Sequence, residues 1–360
     1  MKLERIVIKV GSNVLTRPDG TLDVTRISAI VDQIAVLHHR GIEITLVSSG
    51  AVASGRSEMR HSVTRALDPV SQRQLYSAVG QAKLINRYYE FFREHGIECG
   101  QILTTKENFA TRRHYLNQKH CIEVMLQNRV IPIVNENDTV SVTELMFTDN
   151  DELSGLIASM MNADALFLLS NIDGIYDGNP ADPGSRVIAD ISADTDVSRF
   201  IQDGKSTFGR GGMLTKNRIA RKVAGEGISV IVANGKRENI LIDLADNLDT
   251  IPHTLFHPAQ EVTSSVKKWI AHSEGFAKGE IHISRLAAEA LLSGRGASLL
   301  PIGVTDVKGE FEKGDIVKVI GEDGTLLALG RTSSDSAEVM ESKGSRGGRH
   351  VIHADYLYIE

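Results

Sequence analysis

The chain has 360 residues, a length that accommodates about two domains. Hydrophobic residues make up 41% and charged residues 24%, which excludes long disorder, while aromatics at 5% require a mostly aliphatic core. A formal net charge of -6 argues against nonspecific binding to nucleic acid or an anionic membrane. No stretch approaches the roughly 18 apolar residues of a membrane span. The opening M-K-L-E-R-I-V-I-K-V does not have the composition of a signal peptide. Cys99 and Cys121 stand in no metal-binding or redox spacing and read as reduced thiols in or near a core. The expected location is the cytoplasm.

In chain order, residues 4–10 read as a buried strand, β-branched and bounded by Gly11. Residues 24–39 have helical spacing with Ile27, Ile30, Val31 and Ile34 on one face, and Gly41 follows as a stop. A strand at 42–47 runs into S-S-G-A, where another helix begins. Helices are expected at about 71–94, 112–128, 151–161 and 212–226. Strands are expected at 97–103, 130–134, 165–169 and 228–233. This alternation implies an α/β fold, a mostly parallel sheet covered on both faces. Ligands of such sheets bind at the carboxyl ends of the strands. After about residue 255 the character changes. Residues 258–275 read as a linker, and from 276 the chain is short-stranded and glycine-punctuated, with Asp323-Gly324 as a hairpin signal.

Four loops after strands could carry chemistry. K-V-G-S-N at 9–13 places a lysine beside a glycine; alone, Lys9 reads as a strand-end lysine facing solvent. S-S-G-A at 48–51 opens a helix, whose N-terminus favours an anion, although a plain Ser cap would look the same. N-E-N-D at 135–138 and T-D-N-D at 148–151 are dense in turn-forming side chains, and Asp151 begins a helix. F-G-R-G-G-M-L-T-K at 208–216 is glycine-rich and opens a helix, yet fits neither the P-loop nor the dinucleotide pattern. Together the loops suggest a phosphate site on which Lys9 and Lys216 converge.

The segments I-K-V-G-S at 8–12, V-S-S-G-A-V-A-S-G at 47–55, V-N-E-N-D at 134–138, D-N-D-E-L-S at 149–154 and G-R-G-G-M-L-T-K at 209–216 resemble, in order and spacing, the amino acid kinase family. G-A-S-L-L-P-I-G-V at 296–304 resembles the PUA domain. The resemblance implies a three-layer αβα sandwich over 1–257, a linker at 258–275 and a small β-rich PUA domain over 276–360. The N-E-N-D and D-N-D pair together with the PUA tail resembles the branch of the family that uses glutamate. It implies transfer of phosphate from ATP, with Mg²⁺, to the glutamate side-chain carboxylate, the first step of proline biosynthesis.

Carried over by this resemblance, Lys9 and Lys216 stabilise the transferring phosphoryl group, and Asp151 holds both lysines. Gly11, Gly50 and Ala51 offer close backbone contact. Ser49, Asp138 and Asn150 bind glutamate, with Asn135 close by. Ser170, Asn171, Arg210, Gly211, Gly212, Met213, Leu214, Thr215 and Lys216 contact ATP. The family pattern has Thr-Asp where this chain has Ser170-Asn171, and Thr where it has Arg210. A carboxylate nucleophile needs no general base at pH 7, and Mg²⁺ carried by the phosphates needs no protein cage. The resemblance further implies proline as feedback inhibitor, a homo-oligomer, and hand-over of the product to a reductase. Two alternatives stand beside it. One is another carboxylate or phosphate kinase of the family. The other is an RNA-binding regulator acting through the PUA region, against which the -3 balance of 276–360 argues (10 Lys+Arg against 13 Asp+Glu).

Overall fold

The computed structural model describes residues 2–59, 67–141, 147, 149–180, 182, 184–192, 213–260, 264–293 and 296–360. The chain divides into two compact units, Met1–Val262 and Thr263–Glu360.

The first unit is built on eight strands: β1 (Arg5–Val10), β2 (Glu43–Ser48), β3 (Cys99–Thr104), β4 (Ile131–Glu136), β5 (Ala165–Ser170), β6 (Asp190–Ile191), β7 (Ser229–Asn234) and β8 (His253–Phe256). Their order is β3-β4-β2-β1-β5-β7-β8-β6. All neighbours run parallel except β7 and β8. Nine helices among the described residues connect them: α1 (Ser12–Leu15), α2 (Val24–His39), α3 (Ala51–Glu58), α4 (Pro69–Glu94), α5 (Glu107–Ala110), α6 (Arg112–Gln127), α7 (Asn150–Met161), α8 (Met213–Gly225) and α9 (Ile240–Asp246). Helices α2, α3, α4 and α9 pack together as one layer, and α6, α7 and α8 as another, giving the three-layer αβα sandwich.

Strand period decides which side chains face which layer. Ile6, Ile8 and Val10 of β1 join the core formed with α2, α4 and α9. Val7 and Lys9 therefore point to the opposite face, where α7 lies against β1. Along β1 that face carries Arg5, Val7 and Lys9: Arg5 reaches the Met161 carbonyl at the end of α7 at 2.7 Å, and Lys9 stands near the carboxyl end of the strand. Close approach of helices also matters. A Cβ at Gly55 would lie 1.8 Å from the Tyr76 carbonyl oxygen, and one at Gly80 would lie 1.8 Å from that of Ala51. The two glycines therefore let α3 and α4 touch backbone to backbone.

The expected helices and strands of this unit are all present, with ends shifted by up to two residues. Five described α-helices and strands were not anticipated: the four-residue α1 and α5, the two-residue β6, the four-residue β8 and the seven-residue α9. Cys99 is buried on β3, but Cys121 is exposed on α6 rather than in or near a core. No helix of the described residues is long and apolar enough to cross a membrane.

The second unit has a five-stranded sheet, β9 (Gly279–Ile283), β10 (Val304–Lys308), β11 (Ile316–Ile320), β12 (Leu326–Thr332) and β13 (Ile352–Ile359), in the order β10-β9-β11-β12-β13. Only β9 and β11 pair in parallel. Gly324, at φ 81°, turns the hairpin between β11 and β12 as Asp323-Gly324 predicted. Helices α10 (Ser265–Ala271), α11 (Arg285–Leu292) and α12 (Ser336–Ser342) accompany the sheet. Within the stretch read as a linker, α10 is a packed helix. Its Trp269, Ile270 and Ala271 are buried, and it rests on β13 inside this unit.

Candidate active site

The carboxyl ends of β1, β2, β4 and β5 open onto one cavity of about 620 Å³. It lies between β1 and β5, from whose carboxyl ends the chain leaves in opposite directions along the sheet, towards β2 and towards β6, the position at which open parallel sheets bind ligands. Lys9, Gly11, Ser49, Gly50, Ala51, Asn135, Asp138, Asn150, Asp151, Ser170, Asn171, Met213 and Lys216 all line it. Leu214 and Thr215 are not among its lining residues, and Leu214 is 41% exposed. Arg210, Gly211 and Gly212 lie outside the described residues.

At its floor, Lys9 Nζ stands 2.5 Å from Asp151 Oδ1, and Lys216 Nζ donates to Asp151 Oδ2 at 2.7 Å. One carboxylate thus spaces two ammonium groups brought from β1 and α8. The reading of Lys9, taken alone, as a solvent-facing lysine is overturned: it is 5% exposed, because an otherwise costly buried charge is paired. Burial alone would raise the pKa of Asp151, yet the two lysines outweigh it and hold this carboxyl below its ordinary value, at about 2. Burial acts to lower Lys216, but Asp151 more than compensates, and its pKa is raised. Asp151 sits in the first turn of α7, where a negative charge is favoured.

Asp149 caps that helix, its Oδ1 accepting from the N–H groups of Asp151 at 2.8 Å and Glu152 at 3.0 Å. Burial, and then the neighbouring Asp151 charge, push Asp149 up to about 6. Its Oδ2 is buried with no hydrogen-bond partner among the described residues.

The other wall is polar but neutral. Asn150 Nδ2 donates to Ser49 Oγ at 2.9 Å and to Asn135 Oδ1 at 3.0 Å. Beside it, α3 starts at Gly50, which has φ 109° and no side-chain cap. The positive end of α3 is therefore presented to the cavity by residues without bulk. Gly11 lines the cavity, and its N–H is bonded to the Leu169 carbonyl at 3.2 Å. A Cβ at Gly11 would stand 3.3 Å from the Leu169 carbonyl oxygen, a tight approach, and 3.4 Å from Lys9 Nζ, an ordinary contact. Two lysines sharing a single carboxylate fit the phosphates of a nucleotide, and the uncapped helix start beside them fits a second anion.

The sequence reading missed several members of the site. Arg73 of α4 lines the cavity, donating from Nε to Asp138 Oδ1 at 2.9 Å and from Nη2 to Glu136 Oε2 at 3.3 Å. Glu136, 5% exposed, accepts the Phe147 N–H at 2.9 Å. Burial, and secondly Asp138, push Glu136 up to about 7, against the pull of Arg73. Gln81 accepts from Asn135 Nδ2 at 2.8 Å. A signal for two of these was present: Arg73, Ser77 and Gln81 recur every four residues, a polar stripe on one helix face. Asp149 was legible as the residue before a helix rich in apolar positions.

A lysine pair spaced by a carboxylate, at the ligand-binding edge of a parallel sheet, is equipped to neutralise a phosphoryl group in transit. This is the chemistry of a phosphotransferase on an αβα sandwich. Residues 4–234 match the model of the amino acid kinase family, and the chain belongs to that family. Residues 279–351 match the model of the PUA domain.

Among curated proteins, the chain is 66% identical over 356 residues to the glutamate 5-kinase of Bacteroides thetaiotaomicron, covering 99% of this chain and 98% of that one. It is 46% identical to the glutamate 5-kinase of Chlorobaculum tepidum, covering 99% and 97%. Among solved structures, the carbamate kinase from Giardia lamblia bound to AMP-PNP superposes with a TM-score of 0.52 at 15% identity, covering 71% of this chain and 99% of that one, which is a likeness of fold.

Proposed function

We propose that this chain is an ATP- and Mg²⁺-dependent kinase that phosphorylates the side-chain carboxylate of L-glutamate to L-glutamyl 5-phosphate, the first step of proline biosynthesis. The observation that carries the chemistry is the Lys9–Asp151–Lys216 bridge at the cavity floor. The substrate follows from the full-length similarity to glutamate 5-kinases.

The glutamate carboxylate is ionised at pH 7 and needs no base. The obstacle is repulsion between it and the phosphoryl oxygens, roughly 4 kcal/mol per charge pair at about 4 Å and an effective dielectric near 20. In this reading Lys9 and Lys216 meet the phosphoryl group from two directions and offset that repulsion through the in-line transfer. Asp151 is the spacer that keeps both ammonium groups charged and apart. The start of α3 at Gly50 and Ala51 receives the reacting carboxylate. Ser49, Asn135, Asp138 and Asn150 hold the amino-acid end, while Ser170, Asn171, Met213 and Lys216, which line the cavity, face the nucleotide. Mg²⁺ bound by the phosphates supplies further charge neutralisation.

We assign residues 1–257 to the kinase domain, 258–275 to the connection, with α10 belonging to the second unit, and 276–360 to the PUA domain. We further propose a cytoplasmic homo-oligomer inhibited by proline that passes its labile acyl phosphate to a reductase.

The test is ATP consumption by the purified protein with Mg²⁺ and each of glutamate, N-acetylglutamate, aspartate, carbamate and UMP, trapping acyl phosphate with hydroxylamine. Hydroxamate from glutamate alone, suppressed by proline, is the expected result. Turnover with another of these and not with glutamate would overturn the substrate.

A further inference from the structure

Gln81 is 8% exposed and is not among the residues lining the cavity. It is held against the site by the neighbouring Gly80, through which α4 touches the first turn of α3. From there a chain of side-chain hydrogen bonds runs to the substrate wall. Asn135 Nδ2 donates to Gln81 Oε1 at 2.8 Å, Asn150 Nδ2 donates to Asn135 Oδ1 at 3.0 Å, and the same Asn150 nitrogen donates to Ser49 Oγ at 2.9 Å.

An amide has a donor end and an acceptor end, so the direction set at one link is imposed on the next. Because Gln81 offers an oxygen, Asn135 turns its NH₂ inward and its Oδ1 towards Asn150. Asn150 in turn spends its NH₂ on Asn135 and Ser49, leaving its own carbonyl oxygen for the cavity it lines. Ser49 Oγ has accepted a hydrogen bond, so its hydroxyl hydrogen is directed elsewhere. The wall thus presents an acceptor, suited to an ammonium, next to a hydroxyl donor, suited to a carboxylate.

We propose that Gln81 is a specificity-determining positioning residue, whose oxygen fixes the polarity of the Asn135–Asn150–Ser49 chain so that the site recognises the α-ammonium of an amino-acid substrate. This rests on the glutamate reading above. Sites built to hydrogen-bond a substrate group discriminate strongly against analogues lacking it. The chain therefore favours an amino acid over the dicarboxylate of the same length without the amino group.

The experiment is steady-state kinetics of the full chain with three substitutions. Gln81→Met removes the acceptor at similar volume, Gln81→Lys replaces it with a donor, and Gln81→Glu keeps an acceptor in either protonation state. Q81M and Q81K are expected to raise the glutamate KM tenfold or more, with the ATP KM within twofold of wild type and inhibition by glutarate unchanged. Q81E is expected to restore the glutamate KM to within about threefold of wild type. Thermal melting shows whether each variant is folded, and Q81K carries the test if Q81M is not. A glutamate KM within twofold of wild type in a folded Q81M or Q81K overturns the inference, as does equal impairment of Q81E, or a parallel rise in the ATP KM. These outcomes leave the kinase reading intact when the wild type turns over glutamate. A wild type inert towards glutamate overturns both.

Discussion

Asp151 is fully buried between two lysines, and this makes the consequences of losing any one of the three unequal. Lys216→Ala leaves Asp151 paired with Lys9, so the fold keeps a balanced charge pair while transfer loses a transition-state donor. Turnover should fall on the order of 10²-fold or more, with little change in urea unfolding. Asp151→Asn leaves two buried ammonium groups with only the neighbouring Asp149 as counter-charge, and removing one partner of a buried pair typically costs roughly 3–5 kcal/mol. That variant should lose turnover and unfold at visibly lower urea, and equal stability of the two variants would contradict the bridge as described. Glu136 gives a pH signature. Its carboxyl is pushed from 4.5 up to about 7, so between those values the folded state binds the proton that the unfolded chain has released. Stability therefore falls as pH rises through that window. Glu136→Gln removes the titration, and the stability advantage of this variant over wild type should grow between pH 5 and pH 8, by on the order of 3 kcal/mol. Urea unfolding of both proteins at the two pH values measures it; a gap independent of pH would refute it.

Local signals go a long way towards the elements that carry the site, and their failures have physical causes. Helix α2 was read at its observed ends because an apolar face and the Gly41 stop coincide, and the structure adds Asp23 as its cap. Helix α9 was missed because I-L-I-D-L-A-D is a short apolar run without decisive period. β6 and β8 are too short to show alternation, and their pairing with distant chain is a tertiary fact. Lys9 was misjudged alone because what makes its burial tolerable arrives from Asp151, 142 positions later. The contact of α3 with α4 is likewise invisible locally, though it sets the position of the Gly50–Ala51 turn. Gly80→Ala would put a Cβ 1.8 Å from the Ala51 carbonyl oxygen and 2.3 Å from the Gly55 nitrogen. Both are backbone atoms that cannot swing away. The helices must separate, at a cost of about 1–3 kcal/mol or more, and the turn must move with them. The expected result is a lower melting temperature together with a raised glutamate KM, and a variant that melts like wild type with unchanged KM would show that α3 and α4 do not meet this closely.

Among the described residues, two hydrophobic clusters lie in different units, beside the apolar packing of Val7, Leu153, Ile157 and Val223 on the other face of the parallel sheet. One is assembled from residues between Ile6 and Ile251, around the parallel sheet and helices α2, α4 and α9. The other is assembled from residues between Ile281 and Leu357, on the five-stranded sheet. Each sheet satisfies its strands from within its own unit, and every described residue of the candidate active site belongs to the first. A chain ending at Val262 therefore retains the whole eight-stranded sheet, its core and the lysine bridge, while removing a core that stabilises only its own sheet. Folding units with separate cores unfold separately unless a large apolar interface couples them. The shortened chain is expected to fold, to turn over glutamate within a few-fold of the full-length rate, and to reproduce one of two calorimetric transitions of the full chain. Turnover retained with proline inhibition changed would place the second unit in regulation. A shortened chain that cannot fold, or a full chain that melts in a single transition at a temperature the shortened one cannot reach, would mean that the first core depends on the second, and that the two domains are energetically one.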